Sequence, residues 1–190
     1  MESKKIAIFA SGSGSNAQNI IEYFSEKKTV IVDSLWSNKS DAFALERARK
    51  FKVETFIFNR EEFENSNVIF NKLKERDVDL IVLAGFLWLV PFHLIQNFQI
   101  INIHPALLPN YGGKGMYGMK VHKAVVNNKE VESGISIHFV NEKYDKGELI
   151  FQAKCRVLPN DSAEDVANKI HELEQKHFPE VIENVLNDTY

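Results

Sequence analysis

Two polar side chains stand at alternate positions in the segment IINIHP, where an apolar stretch ends. Residues two apart in a β-strand point to the same face, so Asn102 and His104 are predicted to project together. Pro105 follows directly and ends the strand, which places both side chains at its carboxyl end. An amide N–H beside an imidazole can stabilise the oxyanion that forms during acyl transfer. A lone histidine is more often an ordinary surface or capped residue, and the pairing with Asn102 is what favours chemistry.

A carboxylate that could act on this histidine follows in the segment HFVNEKYDKGELI. Asp145 lies in a turn between two predicted strands, on a loop that can reach the same edge of the sheet. A carboxylate beside His104 would raise the pKa of the imidazole, because an opposite charge favours the protonated form. The other interpretation is that Asp145, Lys146 and Gly147 form only a favourable turn. Metal binding is not expected, since the histidines are scattered without the spacing of metal ligands.

A glycine-rich segment, SGSGSN, separates the first apolar run from a helical pattern. Backbone N–H groups in such a loop, together with the start of the next helix, commonly bind an anion. We interpret the loop as a site for one phosphate group, with two serine hydroxyls and an amide as further donors. Its residues are Gly12, Ser13, Gly14, Ser15 and Asn16. The alternative interpretation is that the segment is only a tight turn between strand and helix and binds no ligand.

The same segment partly fits a dinucleotide-binding fingerprint, with Gly12, Gly14 and Ala17 in the three small-residue positions. That fingerprint also needs an acidic residue at the end of the second strand, about 20 residues further on. Asp33 is near that distance, but apolar residues continue to Trp36, so the carboxylate lies inside the strand. A dinucleotide-dependent oxidoreductase and a non-catalytic nucleotide-binding regulator stay open as alternatives to acyl transfer.

Composition bounds the class of protein. The chain has 190 residues, 44% of them hydrophobic and 26% charged, which predicts one globular domain over residues 1–190. Its net charge of −3 argues against nucleic acid or an acidic membrane as a partner. Cys155 is the only cysteine, which excludes an intrachain disulfide and fits a reducing compartment. Without a predicted signal peptide or membrane span, the chain is expected to be cytoplasmic.

Strands and amphipathic helices alternate along the first two thirds of the chain. This order predicts an α/β fold with an open, mostly parallel twisted sheet and helices on both faces. Two later strands are expected to pair antiparallel, and a long helix over 161–185 is predicted to be broken near Pro179. One continuous helix is predicted over 61–76. The predicted strands span 6–10, 30–36, 53–58, 79–86, 99–105, 133–140 and 148–157.

Six segments in sequence order resemble the phosphoribosylglycinamide formyltransferases, a family of folate-dependent enzymes of purine biosynthesis. They are SGSGSN, SNKSDAFALERAR, LIVLAGFLWLV, NIHPALLP, HFVNEKYDKGELIFQ and LEQKHFP. NIHPALLP alone is typical of the wider group of folate formyltransferases, and SGSGSN narrows the resemblance. The resemblance covers nearly the whole chain and implies a Rossmann-like formyltransferase fold.

The resemblance implies a role for each matching position. Asn102, His104 and Asp145 match the catalytic trio of the family. The glycine-rich loop would hold the 5′-phosphate of the ribonucleotide, and Glu174 would contact its sugar hydroxyls. The peptide bond Leu108–Pro109 falls where the family tends to have a cis proline. The residues that would contact the folate are Leu87, Trp88, Leu89, Val90, Asn102 and Val140.

The implied activity is transfer of the formyl group of 10-formyltetrahydrofolate to the amine of 5-phosphoribosylglycinamide. The amine would attack the formyl carbon directly, and Asn102 and protonated His104 would stabilise the oxyanion. Asp145 would raise the His104 pKa and order a water that relays the proton. The formyl-folate is then a cosubstrate, and neither a metal nor a covalent enzyme intermediate is required. The expected partners are these small molecules, with the protein a monomer or a homodimer.

Two segments depart from the family pattern. Trp88 stands where members often have arginine, which bears on how the folate is held beyond its pterin. After LLP the chain continues with NYGGKGMYGMKVH, which is longer than the corresponding segment of many members and contains four glycines. We expect this loop to border the site, as a mobile lid or as an ordered variant loop.

Overall fold

The structure, a computed structural model, describes residues 3–189 of the chain. Its strands are β1 (Lys4–Phe9), β2 (Val30–Ser37), β3 (Glu54–Ile57), β4 (Leu80–Leu83), β5 (Gln99–His104), β6 (Glu132–Phe139) and β7 (Leu149–Arg156). Its helices are α1 (Ser15–Lys27), α2 (Phe43–Lys50), α3 (Arg60–Glu64), α4 (Val68–Glu75), α5 (Phe92–Ile95), α6 (Met119–Asn127) and α7 (Ala163–Leu186).

The seven strands form one sheet in the order β3-β2-β1-β4-β5-β6-β7. The first five strands pair in parallel, and β6 and β7 add to the β5 edge antiparallel. The predicted α/β fold, with a mostly parallel sheet and antiparallel strands near the C-terminus, is confirmed. The strand order reverses between β1 and β4, which is the switch point where sheets of this kind open a crevice for ligands.

Helices cover both faces of the sheet, and the central strand β4 is apolar and buried at every position. In β1, Ile6 and Ile8 point into a core under α1, α2 and α7, whereas Ala7 and Phe9 point into a second core on the other face. The second core is rich in aromatic rings. Burial on both faces is what a continuous apolar strand requires. Among residues 3–189, no helix is both long and apolar enough to cross a membrane.

The predicted helix over 61–76 is wrong in one respect, because it is two helices. Asn59 starts α3 with a capping box, in which its side chain accepts from the N–H of Glu62 and the Glu62 carboxylate accepts from the Asn59 N–H. The segment 65–67 then interrupts the helix, and the Ser66 hydroxyl donates back to the Glu62 carbonyl at 2.9 Å. Short polar side chains compete with the helix for backbone groups in this way.

The predicted break near Pro179 is also wrong, because α7 runs through the proline to Leu186. A proline has no N–H and so leaves the carbonyl four residues earlier without its helical partner. That carbonyl belongs to Gln175, and it accepts a hydrogen bond from the Asn19 amide of α1 at 2.8 Å. The first helix thus replaces the missing donor, and the buried ring of Pro179 is accommodated within a continuous helix.

Candidate active site

A cavity of about 710 Å³ opens at the carboxyl ends of β1, β4 and β5. Its size is within the range of small-molecule sites, and its position is the crevice expected at the switch point of the sheet. Its wall includes residues 11–16, 84–87, 102–105 and 113–118, together with residues of α7. The glycine-rich loop and the end of β5, which are far apart in sequence, therefore border one space.

The three side chains predicted to carry out the chemistry meet at this cavity. His104 Nδ1 lies 3.5 Å from Asp145 Oδ2, and Asn102 Nδ2 lies 3.5 Å from Asp145 Oδ1. The side chains of His104 and Asp145 are only 5% and 11% exposed, so their charges are weakly screened by water. The other nitrogen of His104, Nε2, donates to the Tyr111 carbonyl at 2.8 Å. The trio is in place for proton transfer and for stabilisation of a developing negative charge.

The net pKa of His104 differs in direction from the sequence prediction. Burial is the largest influence and lowers the His104 pKa, whereas the Asp145 charge and the Tyr111 carbonyl raise it. The net result lies below the ordinary value, so Asp145 acts in the predicted sense without outweighing burial. Burial raises the pKa of Asp145, but the neighbouring His138 and His104 rings and the Gly113 N–H lower it by more, so the pKa of Asp145 lies below its ordinary value. Asp145 is therefore a carboxylate at neutral pH.

His138 is a fourth polar residue of this cluster, and sequence reasoning did not single it out. It lies opposite Asn102 in the β5–β6 register, only 2% exposed, with its Nε2 3.1 Å from Asn102 Nδ2. Its Nδ1 is 2.8 Å from the Phe139 carbonyl, which can only accept, so Nδ1 carries a proton. In the neutral ring Nε2 is then an acceptor, and it orients the Asn102 amide. Only the alternation of polar residues in SGISIHFV could have indicated this face of β6.

The glycine-rich loop packs tightly against α2. Gly14 precedes α1 with φ +74°, and a Cβ there would lie 2.5 Å from two atoms of Ala44. The Ala44 N–H also donates to the Gly12 carbonyl at 3.1 Å. Glycine at position 14 is thus required by both conformation and space. All five predicted phosphate-binding residues border the cavity, with the N-terminus of α1 behind them.

Glu174, the last of the predicted ribonucleotide contacts, lines the cavity beside the glycine-rich loop. Its Oε2 accepts from Asn16 Nδ2 at 3.0 Å, and Asn16 Oδ1 is buried without a hydrogen-bond partner among the described residues. Hydroxyl groups of a sugar could pair with both side chains here. His171, which sequence reasoning missed, also lines the cavity, and its Nδ1 is 3.6 Å from Glu174 Oε2. The hydrogen bond to the Glu174 carboxylate raises the pKa of His171, which favours the charged form of its imidazole.

The predicted folate contacts divide into two groups. Leu87 and Asn102 line the cavity, and the Leu87 N–H donates to the Ser11 hydroxyl at 3.1 Å. Trp88 instead packs among aromatic rings of the second core, and the Arg60 guanidinium lies 4.6 Å from its ring centre. Two of the remaining side chains, Val90 and Val140, pack in the second core, and Leu89 is 39% exposed.

The loop after β5 is shaped by the predicted cis peptide bond, which the structure contains at Leu108–Pro109. The Leu108 N–H donates to the buried Ser136 hydroxyl at 2.9 Å, and the Gln152 amide donates to the Leu108 carbonyl at 3.1 Å. β6 and β7 thus support the loop from below. The glycine-containing segment that follows borders the cavity, as predicted.

The dinucleotide interpretation loses its acidic residue in the structure. Asp33 lies within β2 and forms a two-pronged ion pair with Arg76, at 2.6 and 3.2 Å. Its side chain is 14% exposed and committed to a structural contact between β2 and the end of α4.

Among residues 3–189, no group of three or more histidine, cysteine or acidic side chains is placed to hold a metal ion.

Comparison with known proteins gives one consistent family. The formyl transferase family model matches residues 4–182. A phosphoribosylglycinamide formyltransferase of Haemophilus influenzae is 37% identical over 186 residues, covering 94% of this chain and 85% of that protein. The chloroplastic phosphoribosylglycinamide formyltransferase of Arabidopsis thaliana is 41% identical over 189 residues, 94% of this chain, and the chain spans 64% of its length. The solved glycinamide ribonucleotide transformylase 1 of Symbiobacterium toebii superposes with a TM-score of 0.88 at 30% identity, covering 98% of this chain and 89% of that one.

Proposed function

Because the chain belongs to the formyl transferase family, we propose that it transfers the formyl group of 10-formyltetrahydrofolate to the amine of 5-phosphoribosylglycinamide. The observation that carries the proposal is the meeting of two predicted clusters in one cavity. The phosphate-type loop borders one end, and Asn102, His104 and Asp145 border the other. We further propose that residues 1–190 act as one formyltransferase domain, as a monomer or a homodimer.

The ribonucleotide is proposed to lie along the cavity with its phosphate on the loop. The backbone N–H groups of residues 12–16 and the start of α1 suit a phosphomonoester, since both present partial positive charge. Glu174 and Asn16 would bind the sugar hydroxyls, and the pairing between them supports that role. The amine at the far end of the substrate would then point toward Asn102 and His104.

The formyl-folate is proposed to bind where Leu87 and Asn102 line the cavity, with its formyl carbon beside His104. The amine of the ribonucleotide attacks this carbon, and Asn102 and His104 stabilise the oxyanion of the tetrahedral intermediate. His104 is largely neutral before the reaction, because burial lowers its pKa. The negative charge that develops on the substrate, added to that of Asp145, favours the imidazolium at the stage where it is needed.

Proton movement completes the proposed reaction. The attacking amine must lose a proton and the folate nitrogen must gain one when the formyl C–N bond breaks. Asp145 is proposed to hold a water that carries this proton, since its carboxylate reaches both Asn102 and His104. No metal and no covalent bond to the enzyme enters this sequence of steps.

The test is a formyl-transfer assay with the purified protein, 5-phosphoribosylglycinamide and 10-formyltetrahydrofolate, which follows loss of the formyl-folate by absorbance. Turnover that requires both substrates is the expected result. Turnover without the ribonucleotide would indicate a hydrolase. Absence of turnover with tight NAD binding would instead support an oxidoreductase, and nucleotide binding without turnover would support a regulator.

A further inference from the structure

One short turn contacts both His104 and Asp145. The Tyr111 carbonyl accepts a hydrogen bond from His104 Nε2 at 2.8 Å, and the Gly113 N–H donates to Asp145 Oδ2 at 2.8 Å. The turn at residues 111–113 thus presents an acceptor to the imidazole and a donor to the carboxylate. With Nε2 committed to the turn, Nδ1 of His104 is the nitrogen that faces Asp145.

The backbone of this turn does not adopt an ordinary conformation. Tyr111 has φ +57°, a left-handed conformation that is unfavourable for a residue other than glycine. A Cβ on Gly112 would lie 2.5 Å from Leu108 Cδ2 and 3.2 Å from Asp145 Cβ. Glycine at position 112 thus lets the turn approach Asp145 without a shift of Leu108 or Asp145. A contact that holds Tyr111 in its unfavourable conformation is then expected.

The Tyr111 side chain provides that contact. Its hydroxyl donates to Glu130 Oε1 at 2.7 Å and accepts from Asn128 Nδ2 at 2.8 Å. Both partners follow directly after α6, and the ring packs against the core under α1 and α7. The hydroxyl thus ties the turn to a part of the chain that the proposed substrates do not contact.

We propose that Tyr111 is a positioning residue: its hydroxyl, held by Asn128 and Glu130, fixes the turn that orients His104 against Asp145. The proposal rests on the proposed function for its kinetic readout only. Removal of the hydroxyl would let the turn relax, because the remaining ring contacts do not compel a left-handed Tyr111. The His104 ring would then lose its carbonyl partner and its fixed orientation, and Asp145 would lose a donor.

The protonation of His104 reports this change directly. The charged and titratable groups around the imidazole are Asp145, His138, Glu174 and His122. None of these side chains is replaced in Tyr111→Phe, whereas the Tyr111 carbonyl, which raises the His104 pKa, moves with the turn. Loss of that hydrogen bond should therefore shift the His104 pKa further down.

The test compares Tyr111→Phe with Tyr23→Phe. Tyr23 is a matched control, because its hydroxyl also donates to a glutamate, Glu183, at 3.0 Å, but lies on α1 away from the cavity. In Tyr111→Phe we expect kcat to fall roughly 10- to 100-fold, as for a catalytic group displaced by a fraction of an ångström to 1 Å. The KM for the ribonucleotide should change little, and Tyr23→Phe should keep wild-type kcat.

A second pair of variants tests the tether itself. Glu130→Gln keeps an oxygen acceptor for the Tyr111 hydroxyl and should retain most of the activity, whereas Glu130→Ala should resemble Tyr111→Phe. Unchanged kcat in both Tyr111→Phe and Glu130→Ala would overturn the proposal. So would a loss of activity in Tyr111→Phe no greater than in Tyr23→Phe.

An NMR titration with labelled histidine separates this proposal from the proposed function. The titration needs no substrate, so it remains informative even if the wild-type protein shows no formyl transfer. A His104 pKa that is lower in Tyr111→Phe than in the wild type supports the tether. An unchanged His104 pKa contradicts it, whatever reaction the protein catalyses.

Discussion

His104 stands between two influences of opposite sign. Burial disfavours its charged form, and the nearby Asp145 carboxylate favours it. A buried imidazole with a carboxylate partner can change its protonation when a further negative charge forms beside it. The proposed oxyanion is such a charge, so we propose that His104 gains its proton during the reaction and not before it.

Replacement of His104 by alanine tests this role. We expect kcat to fall by about 10²–10³, the usual effect of removing one oxyanion-stabilising donor. Affinity for the ribonucleotide should change little, since its phosphate and sugar are proposed to bind residues 12–16 and Glu174. Steady-state kinetics and calorimetric titration measure the two quantities, with His177→Ala, at a half-buried histidine of α7 that does not line the cavity, as a control. Equal losses in kcat and in affinity would show that the assigned role is wrong.

His138 gives a second prediction for a single residue. His138→Phe keeps a ring of similar size but removes the acceptor for the Asn102 amide, so the amide is free to turn. We expect kcat to fall roughly tenfold or more, as for loss of a group that orients a donor. His138→Gln retains a side-chain acceptor and should lose less. The measurement is the kcat of the two variants, compared at similar thermal stability. Equal kcat values would contradict the orienting role of His138.

The difference between Asn102 and His138 shows how far sequence reasoning reaches for single residues. Asn102 and His104 were predictable, because alternation within one strand and a following proline fix both face and end. His138 required the register between β5 and β6, which depends on packing between segments more than 30 positions apart. The net His104 pKa likewise depends on burial, which no local pattern reveals.

At the scale of elements, the glycine-rich loop depends on a close approach between α1 and α2. Gly14→Ala should destabilise the protein by about 1–3 kcal/mol, because an L side chain is strained at this φ and its Cβ would overlap Ala44. Ribonucleotide affinity should fall as well, since the loop must shift. Denaturant unfolding and calorimetric titration measure both effects.

Gly12→Ala is the matched control for stability. A Cβ at Gly12 would meet no atom within 4 Å, and its backbone does not need a positive φ. We expect its free energy of unfolding to stay near that of the wild type. If the two variants were equally stable, the close approach at Gly14 would not be the cause of the glycine requirement.

The helices show where local patterns are sufficient and where they fail. The alternation of strands and helices was predictable from apolar periodicity, and so was the parallel sheet. The continuity of α7 through Pro179 was not, because the donor that replaces the missing N–H is Asn19, far away in sequence. The break after α3 had a local signal in the run Asn65, Ser66 and Asn67, which the apolar pattern of 61–76 obscured.

For the whole molecule, buried histidines predict a loss of stability in mild acid. His104 and His122 both have a pKa lowered below the usual 6.5, chiefly by burial. Below pH 6.5 these histidines bind protons more readily in the unfolded chain than in the folded chain. The free energy of unfolding therefore decreases as the pH decreases. The loss per histidine cannot exceed about 1.4 kcal/mol per pH unit. His171, whose pKa is raised, acts in the opposite direction but is 40% exposed.

Denaturant unfolding at several pH values from 7.5 down to 5 checks this prediction. His122→Gln should flatten the dependence, because one of the histidines with a lowered pKa is removed. A free energy of unfolding that stays constant or rises as the pH falls through this range would contradict it. Asp145 does not account for the change, since its pKa lies below its usual 3.8 and so outside this pH range.

The contact between α1 and α7 has a consequence for how the protein is made. Asn16 and Glu174 are 158 positions apart, so on a ribosome the second follows the first by roughly ten to thirty seconds. During that interval α7 is not yet present to pack against α1. The Asn19 amide of α1 also lacks its acceptor, the Gln175 carbonyl of α7. The proposed phosphate loop is therefore synthesised early, whereas Glu174, the proposed sugar contact, is synthesised late. If the ribonucleotide binds both groups as proposed, it can stabilise the folded protein only when almost the whole chain has been synthesised.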